Sequence, residues 1–202
     1  MSEGGEGGEQ PPEEEVCLDV NAFPPEERDN VRAILAALAA VRAILQQPDR
    51  DYTEYGVAVY RDRSGVIRHT RPMPSNPTST GFDLSDFAEG EMAGLLILIH
   101  SHPAFAYDVD HPEYRLRPTP GAEGDWMGYD EYVGIVSTWL QRQGMSGPDA
   151  DATARQQLQL AILGATGPSG SGSYALRIYN SDERDPFYFG TDIPLSLEAC
   201  PA

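Results

Sequence analysis

Only two of the 202 residues are cysteine, Cys17 and Cys200, and they lie near opposite ends of the chain. They form no C-x-x-C pair, and two thiols alone make no zinc cluster. They read as two free thiols of a reducing cytoplasm, with a single disulfide joining the termini as the alternative. Basic residues are also scarce, 14 against 32 acidic ones, for a formal charge of −18. Phosphates need a basic footprint, so nucleic-acid binding is excluded. The acidic surface fits solubility or a basic partner. No apolar run approaches the ~20 residues that cross a bilayer. The N-terminus is acidic and Gly-rich, unlike a secretory signal. The expectation is a cytoplasmic protein that engages no membrane. Export without a cleaved signal would leave no trace in such a sequence.

What the chain does contain is an ordinary globular composition, 40% hydrophobic and 23% charged. Residues 1–20 read as a disordered acidic tail, because Glu, Gly and Pro bury too little apolar surface to offset chain entropy. A single domain is expected over 21–195, with a short tail at 196–202. From Pro25 to Gln47 apolar residues recur at helical spacing (Val31, Ile34, Leu35, Leu38, Val41, Ile44, Leu45), and Pro48 ends the run. Tyr55–Tyr60, a turn at 61–65 and Val66–Thr70 form a hairpin. Residues 71–81 read as a loop. Leu95–Ile99 is continuously apolar and reads as a strand buried on both faces. A loop rich in Pro and Gly follows at 103–124, then a helix from Asp125 to Gln143 stopped by Gly144. Residues 145–155 read as a linker. Leu158–Leu163 and Tyr174–Tyr179 read as strands, with a short edge strand at Phe187–Phe189. This order predicts a mixed α/β (α+β) fold, helices flanking a mixed central sheet.

The chemistry concentrates at Ile99-His100-Ser101-His102-Pro103. Two histidines at i and i+2 on a strand share a face, so both imidazoles can converge on one ion. Catalytic zinc has three protein ligands and a water. Asp125, at the start of a strong helix, is the candidate third ligand; read alone, it is also a natural N-cap. A base must take the proton from the activated water. Glu54, opening the hairpin's first strand, is that candidate, and alone it also reads as a solvated strand-edge residue. Glu89 and Glu91 rank lower, since they precede the central strand at the end far from His100. Ser101 should face away from both histidines, which argues against a serine triad. His69 is expected to be exposed in the hairpin.

Glu54, then His100-Ser101-His102-Pro103, then Gly124-Asp125-Trp126 together resemble the JAMM (JAB/MPN) metallopeptidase signature, an upstream Glu, H-[ST]-H-P and S-x-x-D. The resemblance spans roughly residues 25–180 and looks closest to bacterial JAB-type domains of conflict and toxin systems. It implies a cytidine-deaminase-like fold, Zn2+ held by His100, His102 and Asp125, and Glu54 as general acid/base. The implied reaction is hydrolysis of a peptide or isopeptide bond in a peptide or ubiquitin-like protein. The motif serine Ser101 and Thr119 join Glu54 as catalytic candidates. Ala122 stands where the signature has its oxyanion-stabilising serine, a donor worth roughly 3 kcal/mol in comparable sites; Thr119 is the nearest substitute. A segment near 104–123 looks inserted, with Asp108, Asp110, His111 and Glu113 as further candidate ligands. Two other functions fit the same residues, a non-catalytic binding or scaffold module and a secreted effector peptidase. Nothing in the sequence sets an oligomeric state.

Overall fold

A computed structural model of the chain describes residues 17–75, 87–88, 90–103, 115–119, 124–167, 171–182 and 190–201. The first strand, β1 (Cys17–Leu18), leads through a 3-10 turn into helix α1 (Arg28–Leu45). Strands β2 (Tyr55–Arg61) and β3 (Ile67–His69) form the expected hairpin. The loop expected at 71–81 holds a short strand, β4 (Met73–Pro74), that also pairs with β2. A 3-10 turn at Glu91–Gly94 opens β5 (Leu95–His102), buried along nearly its whole length.

Helix α2 (Asp125–Arg142) is followed by α3 (Gly147–Gln157), where the sequence reads as a linker. That helix eluded the periodicity because it buries only Ala150 and Ala154, too small an apolar stripe to stand out. Its start carries a clear local signal nonetheless. The Ser146 hydroxyl accepts from the Asp149 amide, with Pro148 in the first turn. The chain then forms β6 (Gln159–Ala165), β7 (Tyr174–Tyr179), β8 (Thr191–Ile193) and β9 (Glu198–Ala199). The edge strand expected at Phe187–Phe189 lies outside the described residues, and β8 fills the edge beside β7.

The main sheet runs in the order β3-β2-β5-β6-β7-β8. It is mixed, because β5 and β6 pair parallel while β2–β5, β6–β7 and β7–β8 pair antiparallel. The parallel step is bridged by α2 and α3, as a crossover requires. Helix α1 packs on one face against Val57, Val59, Ile97, Ile99 and Leu163. Helices α2 and α3 cover the other against Ala58, Leu98, Leu160 and Ile162. With both faces covered, β5 and β6 are buried along nearly their whole length, and the carboxyl end of β5 is a rigid base.

The ends of the chain correct two expectations. Cys17 and Cys200 are joined in a disulfide rather than free. β1 pairs in parallel with β9, so residues 17–20 and 196–201 belong to the ordered structure rather than to tails. Arg42 of α1 supports this clasp, donating to the Leu197 carbonyl and pairing with Glu198. Among the described residues no helix is long and apolar enough to cross a membrane.

Candidate metal centre

Alternation along β5 sends His100 and His102 to the α2 side of the sheet and Ser101 to the α1 side. Both imidazoles are buried, His102 completely. Gly124, not Asp125, occupies the N-cap of α2, and Asp125 is the first helical residue. Its carboxylate is thus released from capping and turns to the sheet end, where Oδ1 lies 2.5 Å from His100 Nδ1 and Oδ2 lies 3.3 Å from His102 Nε2. Glu54 arrives from the other side. β2 pairs Gly56 with His100, and Glu54 Oε2 sits 3.2 Å from His100 Nε2.

Three elements thus deliver the four residues that the sequence singles out. One ligand atom each from His100, His102 and Asp125 lies within 4.8 Å of the others. Two imidazole nitrogens and a carboxylate oxygen form a donor set suited to a first-row divalent ion. This buried His-His-Asp group could hold a metal ion. Beside it a small cavity of about 30 Å³ opens between α2 and the sheet, lined by Gly56, Leu98, Gly128, Tyr129 and Tyr132.

Electrostatics binds the group tightly in its metal-free form. Burial alone would discharge His100, yet the carboxylates of Asp125 and Glu54 outweigh it and raise its pKa to about 9. Asp125 is correspondingly held well below the usual carboxylate range, its burial overcome by the two histidines. Glu54 is lowered as well, its burial opposed chiefly by His100.

The remaining candidates separate. The Ser101 hydroxyl accepts from the Tyr55 amide at 2.7 Å, on the face away from the histidines. It is therefore no oxyanion donor; it ties the start of β2 to β5 and so fixes Glu54 beside His100. Thr119 reaches the site through its backbone, its amide donating to Asp125 Oδ2 at 2.5 Å. Glu91 caps the far end of β5 with bonds to the Ala88 and Arg63 amides. His69 is half-buried rather than exposed, with Nδ1 2.9 Å from the Thr70 carbonyl. Ala122, Glu89, Asp108, Asp110, His111 and Glu113 lie outside the described residues. Two supports escaped sequence reasoning, the Ser101–Tyr55 bond and the Thr119 amide, since backbone donors leave no residue-type signal.

No family model, curated protein or solved structure matches the chain.

Proposed function

We propose that the chain is a zinc-dependent hydrolase of peptide or isopeptide bonds, of the JAMM (JAB/MPN) type, with His100, His102 and Asp125 as the zinc ligands. The observation that carries this reading is the convergence of Glu54 on the His-His-Asp group from a separate strand, 3.2 Å from His100. A structural His–Asp ion pair would not need a second carboxylate there. The mixed sheet with α1 on one face and α2 and α3 on the other is consistent with the cytidine-deaminase-like fold of that family. Bound there, zinc supplies a Lewis acid and a water made acidic near neutral pH. Glu54 Oε2 takes a proton from the attacking water and returns it to the leaving nitrogen as the carbon–nitrogen bond breaks. The buried walls around His102 and Asp125 keep bulk water from competing for the site.

Metal analysis of the natively purified chain tests the site directly. About one zinc per chain is expected, lost in His102→Ala. Cleavage of a peptide or ubiquitin-like fusion should stop on chelation and return with zinc. Glu54→Gln should keep the metal and lose the cleavage. A metal-free wild type whose properties are unchanged by His100→Ala would overturn the reading. The chain itself contains no lysine, so isopeptide products in such an assay come from the substrate alone.

The Cys17–Cys200 bond favours one version of this function. Disulfides persist in oxidising compartments, which weights an exported peptidase over a cytoplasmic deconjugating enzyme. Thiol labelling of the denatured, unreduced protein from its native source decides between them.

A further inference from the structure

The segment Arg115–Thr119 crosses the carboxyl end of the sheet beside the metal centre, and four independent contacts hold it there. Arg115 is buried, and its guanidinium donates to the Gly167 carbonyl at 2.9 Å. The Arg115 carbonyl presses on Gly164 so closely that a Cβ there would sit 2.1 Å from its oxygen. The Leu116 carbonyl accepts from the Tyr179 hydroxyl at 2.5 Å. The Thr119 amide ends the segment on Asp125 Oδ2.

The position of Gly164 gives these contacts a direction. It is the β6 residue in register with His102 on β5. Neighbours in register share a face, so the bare backbone of Gly164 is the seat that lets the segment descend to the level of the metal ligands. Among the described residues the buried Arg115 guanidinium meets carbonyl partners alone; burying it so is costly, and such an arrangement persists where the surrounding structure requires it.

We propose that residues 115–119 are a strap that positions Asp125 as a metal ligand, with Gly164, Arg115 and Tyr179 as positioning residues that act through the Thr119 amide. The inference rests on the metal-binding reading of the His-His-Asp group. The strap fixes Oδ2 of the carboxylate, the oxygen that faces His102, and so its rotation. Outer-shell hydrogen bonds of this kind typically govern metal affinity by about 10–100-fold.

The test uses Co2+ as a spectroscopic probe and Zn2+ as competitor, on the full chain. Gly164→Ala should weaken Co2+ binding by about 10–100-fold and change its visible d–d bands. Gly94→Ala is the matched control. Its Cβ would meet the Arg61 carbonyl at 2.2 Å, an equal insult at the opposite end of β5. It should lower stability while leaving Co2+ affinity and spectrum as in wild type. Tyr179→Phe keeps the buried ring and removes the bond to Leu116 together with the hydroxyl's contact to the Arg177 side chain; it should show a smaller loss in the same direction. It carries the test if Gly164→Ala does not fold. Wild-type affinity and bands in both Gly164→Ala and Tyr179→Phe would overturn the strap while leaving the metal site standing. Equal loss in Gly94→Ala would overturn it too, by showing that any steric damage suffices. A wild-type chain that binds no Co2+ would overturn the metal reading and the strap with it.

Discussion

Removing the metal should invert the pH dependence of stability, and His100 sets the size of the effect. In the metal-free chain its pKa is raised from 6.5 to about 9 by Asp125 and Glu54 acting against burial. A raised folded-state pKa means stabilisation that is complete below about pH 6.5 and lost as pH climbs through about 9. At about 1.4 kcal/mol per unit, the loss is on the order of 3 kcal/mol. Asp125 reports the same interaction from the other side, so its lowered pKa is not added again. For a chain of this size, 3 kcal/mol corresponds to a fall in Tm of roughly 6–12 °C between pH 6.5 and 9. With zinc the sign reverses. The ion needs a neutral imidazole, so each unit of pH below about 9 costs close to a factor of ten in apparent affinity through His100 alone. Thermal melts with EDTA and with zinc, at half-unit steps from pH 6 to 9.5, read both slopes. Calorimetry at pH 7 in buffers of different ionisation enthalpy should show about one proton released from His100 per metal bound. A metal-free Tm that stays flat or rises across this range, with affinity independent of pH, would refute the reasoning.

Ser101→Ala should lower stability by about 1–3 kcal/mol, because it leaves the buried Tyr55 amide without its acceptor. It should retain zinc, since the hydroxyl points away from the ligands; chemical denaturation and metal analysis check the two halves. Cys17→Ser opens a bond that spans 183 residues of chain. The loop-entropy relation gives a ceiling of about 5 kcal/mol for that staple. The loss should appear equally in wild type treated with reductant, measured by urea unfolding. If reduction leaves the urea midpoint unchanged, the clasp of β1 on β9 is held by its other contacts. Tyr129→Phe removes a hydroxyl that donates to the Leu158 carbonyl at 2.8 Å and should cost about 1 kcal/mol without altering metal content.

The elements that sequence alone located are those whose pattern is carried by side chains of contrasting polarity. α1 and α2 repeat at helical spacing, whereas β2, β5 and β7 are short, largely apolar runs set off by polar or turn residues, and each lies within a few residues of its expected span. What escaped has a different physical origin. α3 faces the core with alanines, so its helical period carries almost no apolar contrast. The β1–β9 pairing and the disulfide join residues at opposite ends of the chain, a relation that no local window contains. The strap works through carbonyls, one amide and the absence of a Cβ at Gly164, and none of these has a residue-type signature.

Asp125 shows how the structure separates two roles that one residue type can fill. At a helix start, aspartate is both a favoured cap and a good metal ligand, and spacing alone does not choose. The choice turns on a displacement of one residue. With Gly124 at the N-cap, Asp125 stands inside the first turn, where its charge still complements the helix dipole but its oxygens are not engaged by the helix's own amides. One oxygen is then taken by the Thr119 amide, and the pair is aimed at the two histidines. A carboxylate that served only the helix would gain nothing from this arrangement, because burying it against His100 and His102 costs desolvation that a solvated cap avoids. Asp125→Asn separates the roles experimentally. It preserves size and the first-turn position, so the helix should persist by circular dichroism. It weakens the ligand and the partner of His100, so metal affinity should fall by more than tenfold and the upward shift of His100 should shrink. Loss of the helix with metal affinity intact would place Asp125 in the service of α2 instead.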